Sequence, residues 1–111
     1  MNTLQVNDTE LLLDNDGYLV NLSDWNTEVA TALARTENIE LSGAHWEIIH
    51  LIRQFYHTYD MAPSQRPLVR YVKENLGQEK GSSMYLMKLF PGSPAKIISR
   101  IAGLPRPTNC F

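Results

Sequence analysis

A chain of 111 residues with 43% apolar and 20% charged side chains is long enough for one modest hydrophobic core, and its composition is not that of a disordered or fibrous chain. No apolar run approaches the roughly 20 residues of a membrane span, one cysteine excludes an internal disulfide, and a net charge of −2 excludes a strongly basic chain. The opening MNTLQVNDTE has neither the basic nor the apolar segment of a secretory signal. The expectation is a single cytoplasmic domain spanning 1–111, with no membrane partner.

TLQV (3–6) and ELLL (10–13), separated by NDT, read as the two strands of a hairpin. DNDG (14–17) is a strong turn signal, because Asn, Asp and Gly tolerate the backbone angles of tight turns. YLVNL then runs into SDW, where Ser23 or Asp24 can cap a helix from about Trp25 to Glu37, with Val29, Ala32 and Leu33 facing inward. Ser42 caps the longest helix, GAHWEIIHLIRQFYHTYD. Its Ile48, Ile49, Ile52, Phe55, Tyr56 and Tyr59 fall on one stripe by spacings of three and four. Glu47, His50, Gln54 and His57 lie away from it.

Ser64 is the expected cap of the next helix. Pro67 then falls in the first turn, where a missing N–H costs little. Leu68, Val69, Val72 and Leu76 face inward and Gly77 ends the helix, while Arg66, Arg70 and Lys73 line the other face. SSMYLMKLF forms a short helix that stops at Pro91. SPAKIISRIAG starts with Ser93 as cap and Pro94 in the first position and ends at Gly103. The fold class is mainly α (α+β): a compact helical domain with a small N-terminal β-hairpin and a flexible C-terminal arm over 103–111.

Charge is divided along the chain. Residues 1–60 hold two arginines against ten acidic residues, a balance of −8; residues 61–111 hold eight Lys or Arg against two glutamates, a balance of +6. Two halves attracted to each other account for this polarity slightly better than an acidic partner for the second half.

Several chemistries are disfavoured. His45 and His50 point about 140° apart on a helix, and His50 and His57 stand roughly 10 Å apart along its axis, so neither pair chelates one ion. HWEIIH is not the HExxH of a zinc site, and no phosphate-cradling glycine loop or nucleophile elbow is present. No metal and no cofactor are expected.

The tail GLPRPTNCF carries the only thiol, Cys110. Gly103 permits a change of direction, and Pro105 and Pro107 forbid helix and favour an extended course. The segment from Gly103 to Cys110 can span roughly 20 Å at about 3 Å per residue. A thiol on such a lever is poor at completing an active site of its own and suited to visiting partners. The neighbouring carboxylate opposes thiolate formation, and Arg106 or a cationic partner site favours it. Attack on a sulfur donor gives Cys110 persulfide, whose outer sulfur passes to a second thiol by the logic of thiol–disulfide exchange.

DNDGYL, HWEIIHLIRQFY, EKGSSMYLMKLFPGSPAK and RIAGLPRPTNC together resemble the TusE/DsrC family of sulfur-relay proteins over nearly the whole chain. The resemblance implies that Cys110 is the catalytic, persulfide-bearing residue and that Gly103, Pro105, Arg106 and Pro107 shape its arm. The DsrC branch has a second cysteine eleven residues before the last, and that position here is Ser99. A serine forms no disulfide, which disfavours the two-cysteine role in sulfite reduction or sulfur oxidation. The resemblance is to the TusE branch. It implies a sulfurtransferase that accepts sulfur from a TusBCD-like complex and passes it to an MnmA-like tRNA 2-thiouridylase, meeting tRNA only indirectly. The family's GPAK stands here as SPAK.

Arg66, Arg70, Lys73, Lys96 and Arg100 are candidate partner-docking residues. Placed after a helix and a short turn, the first three also loosely resemble the reading face of a helix-turn-helix nucleic-acid binder. An isoelectric point near 5.9 speaks against autonomous binding of that kind. A non-catalytic adaptor of sulfur-relay proteins is the third alternative.

Overall fold

The computed structural model describes residues 2–107, so Cys110 lies outside the described residues. Strands β1 (Asn2–Val6) and β2 (Thr9–Leu13) pair antiparallel, with Leu4 opposite Leu11 and Val6 opposite Thr9. The hairpin loop is therefore Asn7 and Asp8 alone, one residue shorter than expected. Asn7 takes a positive φ of 53°, which short polar side chains tolerate. Leu4, Leu11 and Leu13 are buried while Leu12 is exposed, as the alternation of a strand requires. The Asp14 carboxylate then accepts the backbone N–H groups of Asp16 and Tyr18 at 2.9 and 3.0 Å, closing the expected turn.

The next segment departs from the sequence expectation. Leu22–Asp24 form a single 3-10 turn capped by Asn21, and Trp25 is extended. Helix α1 runs Thr27–Thr36, capped by Asn26, whose side chain accepts from Val29 N–H at 2.9 Å. Ser23 and Asp24 are therefore not its caps. Asn26 caps as well as either, and Trp25 stays out of the helix because its indole is hydrogen-bonded across the molecule, to Ile101 O.

Helix α2 (Gly43–Tyr59) starts at Ser42 as expected, and His45 completes the cap: Ser42 N–H donates to His45 Nδ1 at 3.0 Å. His45 Nε2 then faces Leu89 O at 2.8 Å, so with Nδ1 accepting from Ser42 N–H the Nε2–H donates to that carbonyl. Ile48, Ile49 and Ile52 are fully buried, and Tyr59 is exposed in the last turn with its ring against Phe55. Helix α3 (Gln65–Leu76) has Ser64 at its cap, Pro67 in its first turn and Gly77 at its end. Leu68 and Val72 face the core.

Helix α4 (Ser83–Leu89) is capped by Ser82 and ends on Phe90, which is wholly buried. Helix α5 (Pro94–Ile101) begins after Ser93 with Pro94 in its first turn and buries Ile98, Ser99 and Ile101. It packs against α1, α2 and α3. Burial of each such large apolar side chain contributes about 1.5–3 kcal/mol, so α5 is central to the core. No helix among the described residues is long and apolar enough to cross a membrane.

Candidate functional site: the root of the C-terminal arm

The end of α5 determines how the arm departs, and every carbonyl there has a partner. A helix leaves its last four C=O groups without intrahelical donors. Here Leu104 N–H donates to Ser99 O at 2.9 Å and Gly103 N–H to Arg100 O at 3.1 Å. This is a Schellman closure, with Gly103 in the left-handed region at φ +72°. The two remaining carbonyls are taken by side chains from distant segments. Trp25 Nε1–H donates to Ile101 O at 2.9 Å, and Arg53 Nη1–H to Ala102 O at 2.5 Å. The Arg53 guanidinium also stacks 3.8 Å from the centre of the Trp25 ring. Partial burial lowers the Arg53 pKa from its usual value.

Glycine is required at 103 for two reasons. A side chain would strain the positive φ, and a Cβ would stand 2.2 Å from Trp25 Cδ1. The arm therefore passes directly over the indole. Leu104 is buried and Pro107 is buried beyond it; Pro105 is half-buried and Arg106 is exposed. The first five arm residues thus lie against the body rather than standing away as a free lever.

Arg106 pairs with Asp16 and sits 5.9 Å from the centre of the Tyr18 ring. Tyr18 in turn donates its hydroxyl to Lys96 O at 3.3 Å. Arg106, Lys96 and Arg100 line one pocket of about 300 Å³ together with Asp16, Tyr18 and Ile97. Pro107 borders a different groove of about 420 Å³, which Ser64, Ser83, Met87 and Pro94 help to line.

The candidate docking residues fall into two groups. Arg66, Arg70 and Lys73 are exposed on α3, Lys96 is exposed on α5, and none of the four is ion-paired among the described residues. Arg100 differs: it is partly buried, pairs with Glu37, and has its pKa lowered by desolvation. Lys80 pairs with Glu47 at 2.7 Å, and that hydrogen bond raises the lysine pKa. Each of the three ion pairs among the described residues joins an acid of residues 1–60 to a base of residues 61–111. Mutual attraction of the halves therefore absorbs part of the charge division, and the α3 cations are left over.

Ser99 is 1% exposed, and its Oγ has no hydrogen-bond partner among the described residues. His50 and His57 are exposed, His45 is engaged in its cap, and the described residues contain no cluster of metal-ligating side chains. Trp25 and Arg53 were not singled out in the sequence. Their partners lie 76 and 49 residues away, and no local pattern announces such contacts.

The chain belongs to the DsrC-like protein family, whose pattern matches residues 5–111. It is 47% identical over 108 residues to the sulfurtransferase TusE homolog of Haemophilus influenzae, covering 97% of this chain and 99% of that one. It is equally identical, over 97% of its length and 100% of the relative, to the sulfurtransferase TusE of Sodalis glossinidius. Among solved structures, DsrC of Allochromatium vinosum matches with a TM-score of 0.88 and 46% identity, over 98% of this chain and 97% of that one. The oxidized gamma-subunit of dissimilatory sulfite reductase (DsrC) from Archaeoglobus fulgidus matches with a TM-score of 0.85 and 41% identity, over 99% and 100%. The fold is that of DsrC, and a sulfur-transfer role is supported by the relatives that carry the sulfurtransferase name.

Proposed function

We propose that this protein is a sulfur-relay carrier that holds sulfane sulfur on Cys110 as a persulfide. The Cys110 thiolate attacks the outer sulfur of a donor persulfide. A new S–S bond forms to Cys110, the donor's S–S bond breaks, and the donor leaves as a thiolate. An acceptor thiolate then attacks the outer sulfur of Cys110–S–SH and returns Cys110 as a thiolate. Neither step needs an external oxidant or reductant. The donor is a TusBCD-like complex and the acceptor an MnmA-like tRNA 2-thiouridylase acting on the wobble uridine. The carrier meets tRNA only through that enzyme, in the cytoplasm.

The observation that carries this reading is a single thiol, Cys110, in a chain 47% identical over nearly its full length to sulfurtransferases of the TusE type. Ser99 in place of a second cysteine supports a carrier over a protein that closes its own disulfide. The cations Arg66, Arg70, Lys73 and Lys96, which form no ion pair among the described residues, suit docking to an acidic partner surface, with Gly103, Pro105, Arg106 and Pro107 shaping the arm.

Mass spectrometry after incubation with a persulfide donor tests this directly. Wild type gains one sulfur atom on the peptide bearing Cys110, and Cys110→Ser gains none while keeping its circular dichroism and unfolding midpoint. A wild-type mass that never shifts refutes the carrier role. Labelled sulfur followed from donor to carrier to tRNA tests the order of partners.

A further inference from the structure

We infer that Trp25 and Arg53 are positioning residues for sulfur transfer: they hold the two carbonyls at which the arm leaves α5, and so set the direction in which Cys110 is offered to a partner. The inference rests on the carrier role proposed above. Its physical basis is the set of partners at the helix end. Leu104 and Gly103 satisfy two of the last four carbonyls from within the chain. Water satisfies the other two in an ordinary exposed helix end. Here an indole N–H and a guanidinium, carried by segments remote in sequence, take those places. The two side chains also stack on each other, 3.8 Å from guanidinium carbon to ring centre. The cation lies at the negative end of the α5 dipole, and the absent Cβ of Gly103 lets the arm run against the indole. Helix end, arm and clamp are therefore one packed unit.

Such a unit matters for a carried atom. Six residues separate Gly103 from Cys110, up to roughly 20 Å of chain at about 3 Å per residue. Gly103 to Pro107 lie against the body, so a rotation at the root displaces them over that surface, and an error of about 1 Å is already costly for a reacting pair. The proline-bearing arm transmits such a rotation better than a glycine-rich linker does.

The single cysteine makes the test direct, because a spin label on Cys110 reports on one site only. The variants are Arg53→Met, Arg53→Lys and Trp25→Phe, which keeps an aromatic face for Arg53 and removes the N–H to Ile101 O. In Arg53→Met the mobile fraction of the label rises at least twofold, while alkylation of unlabelled Cys110 by iodoacetamide stays within twofold of wild type. Loading from cysteine persulfide changes little, and onward transfer to the thiouridylase acceptor falls about tenfold. Arg53→Lys keeps a cationic donor for Ala102 O and recovers most of that transfer. Trp25→Phe shows the same pattern in weaker form and stands in should Arg53→Met not fold. An unchanged label in the folded variants overturns the inference, as does a loss of transfer that merely tracks lost stability. A wild type that takes up no sulfur defeats the carrier role instead, and the label still decides whether the clamp holds the arm.

Discussion

Among the described residues, two of the arm's attachments to the body are of different kinds. At Gly103 and Leu104 it is buried, passes over Trp25, and is closed by four hydrogen bonds to the α5 carbonyls. At Arg106 it is held by an ion pair to Asp16 in which both side chains are about half exposed, at 53% and 54%. Buried groups lose much when a partner is removed, because nothing replaces it. Exposed ion pairs exchange with water, salt or another charge at little cost. The root is thus fixed, and the second attachment is open to competition from an acidic partner.

Gly103→Ala attacks the root most directly. Left-handed strain and a Cβ inside the Trp25 contact distance add, and the expected loss is about 3–4 kcal/mol in urea unfolding. Gly77→Ala sharpens the contrast. Its φ and ψ, 101° and 169°, lie in a region that essentially only glycine adopts, but nothing lies within 4 Å of the added Cβ, so only backbone strain of about 1–3 kcal/mol remains. A Gly103→Ala loss that is unchanged in a Trp25→Ala background would show that the Trp25 contact contributes nothing.

Leu104→Ala tests whether the arm's second residue belongs to the core. With the side chain 2% exposed, the expected cost is about 2–3 kcal/mol. Arg106→Ala, at the other attachment, should cost less than about 1 kcal/mol. Raising salt should further reduce the already small difference between that variant and wild type. A loss at Arg106 as large as at Leu104 would erase the distinction between the two attachments.

The smallest effect belongs to Lys80 and Glu47, away from the arm. The pair raises the lysine pKa, so its contribution is fully present below the ordinary lysine value and is lost as pH rises through the raised one. Comparing Lys80→Met with wild type across that alkaline window should show a small difference that closes with rising pH. A difference that widens instead would reverse the sign of the interaction.

Much of the fold was legible because its determinants are local. Ser42, Ser64, Ser93 and Pro94 mark helix starts wherever they stand, and the stripes of α2 and α3 need only a period of 3.6. The start of α1 was misplaced because Ser23, Asp24 and Asn26 are all competent caps. The choice among them was made by Trp25, whose indole is held 76 residues downstream. The candidate site was legible only in part, for the same reason. Gly103, Pro105, Arg106 and Pro107 read as an arm from composition alone. That its first five residues lie against the body depends on Asp16, Trp25 and Arg53, none of which is near the arm in sequence. Arg100 looked like a surface cation because nothing local reveals Glu37 across from it.

The position of α5 has a consequence for how this protein comes into being. It is the last of the described helices to be synthesised, yet α1, α2 and α3 all pack against it. Until it emerges, the acidic first half lacks both the Arg100 countercharge and the apolar surface that Ile98 and Ile101 supply. Nascent chains should therefore stay loosely collapsed and acquire their cooperative structure late, in one step that also aims the arm.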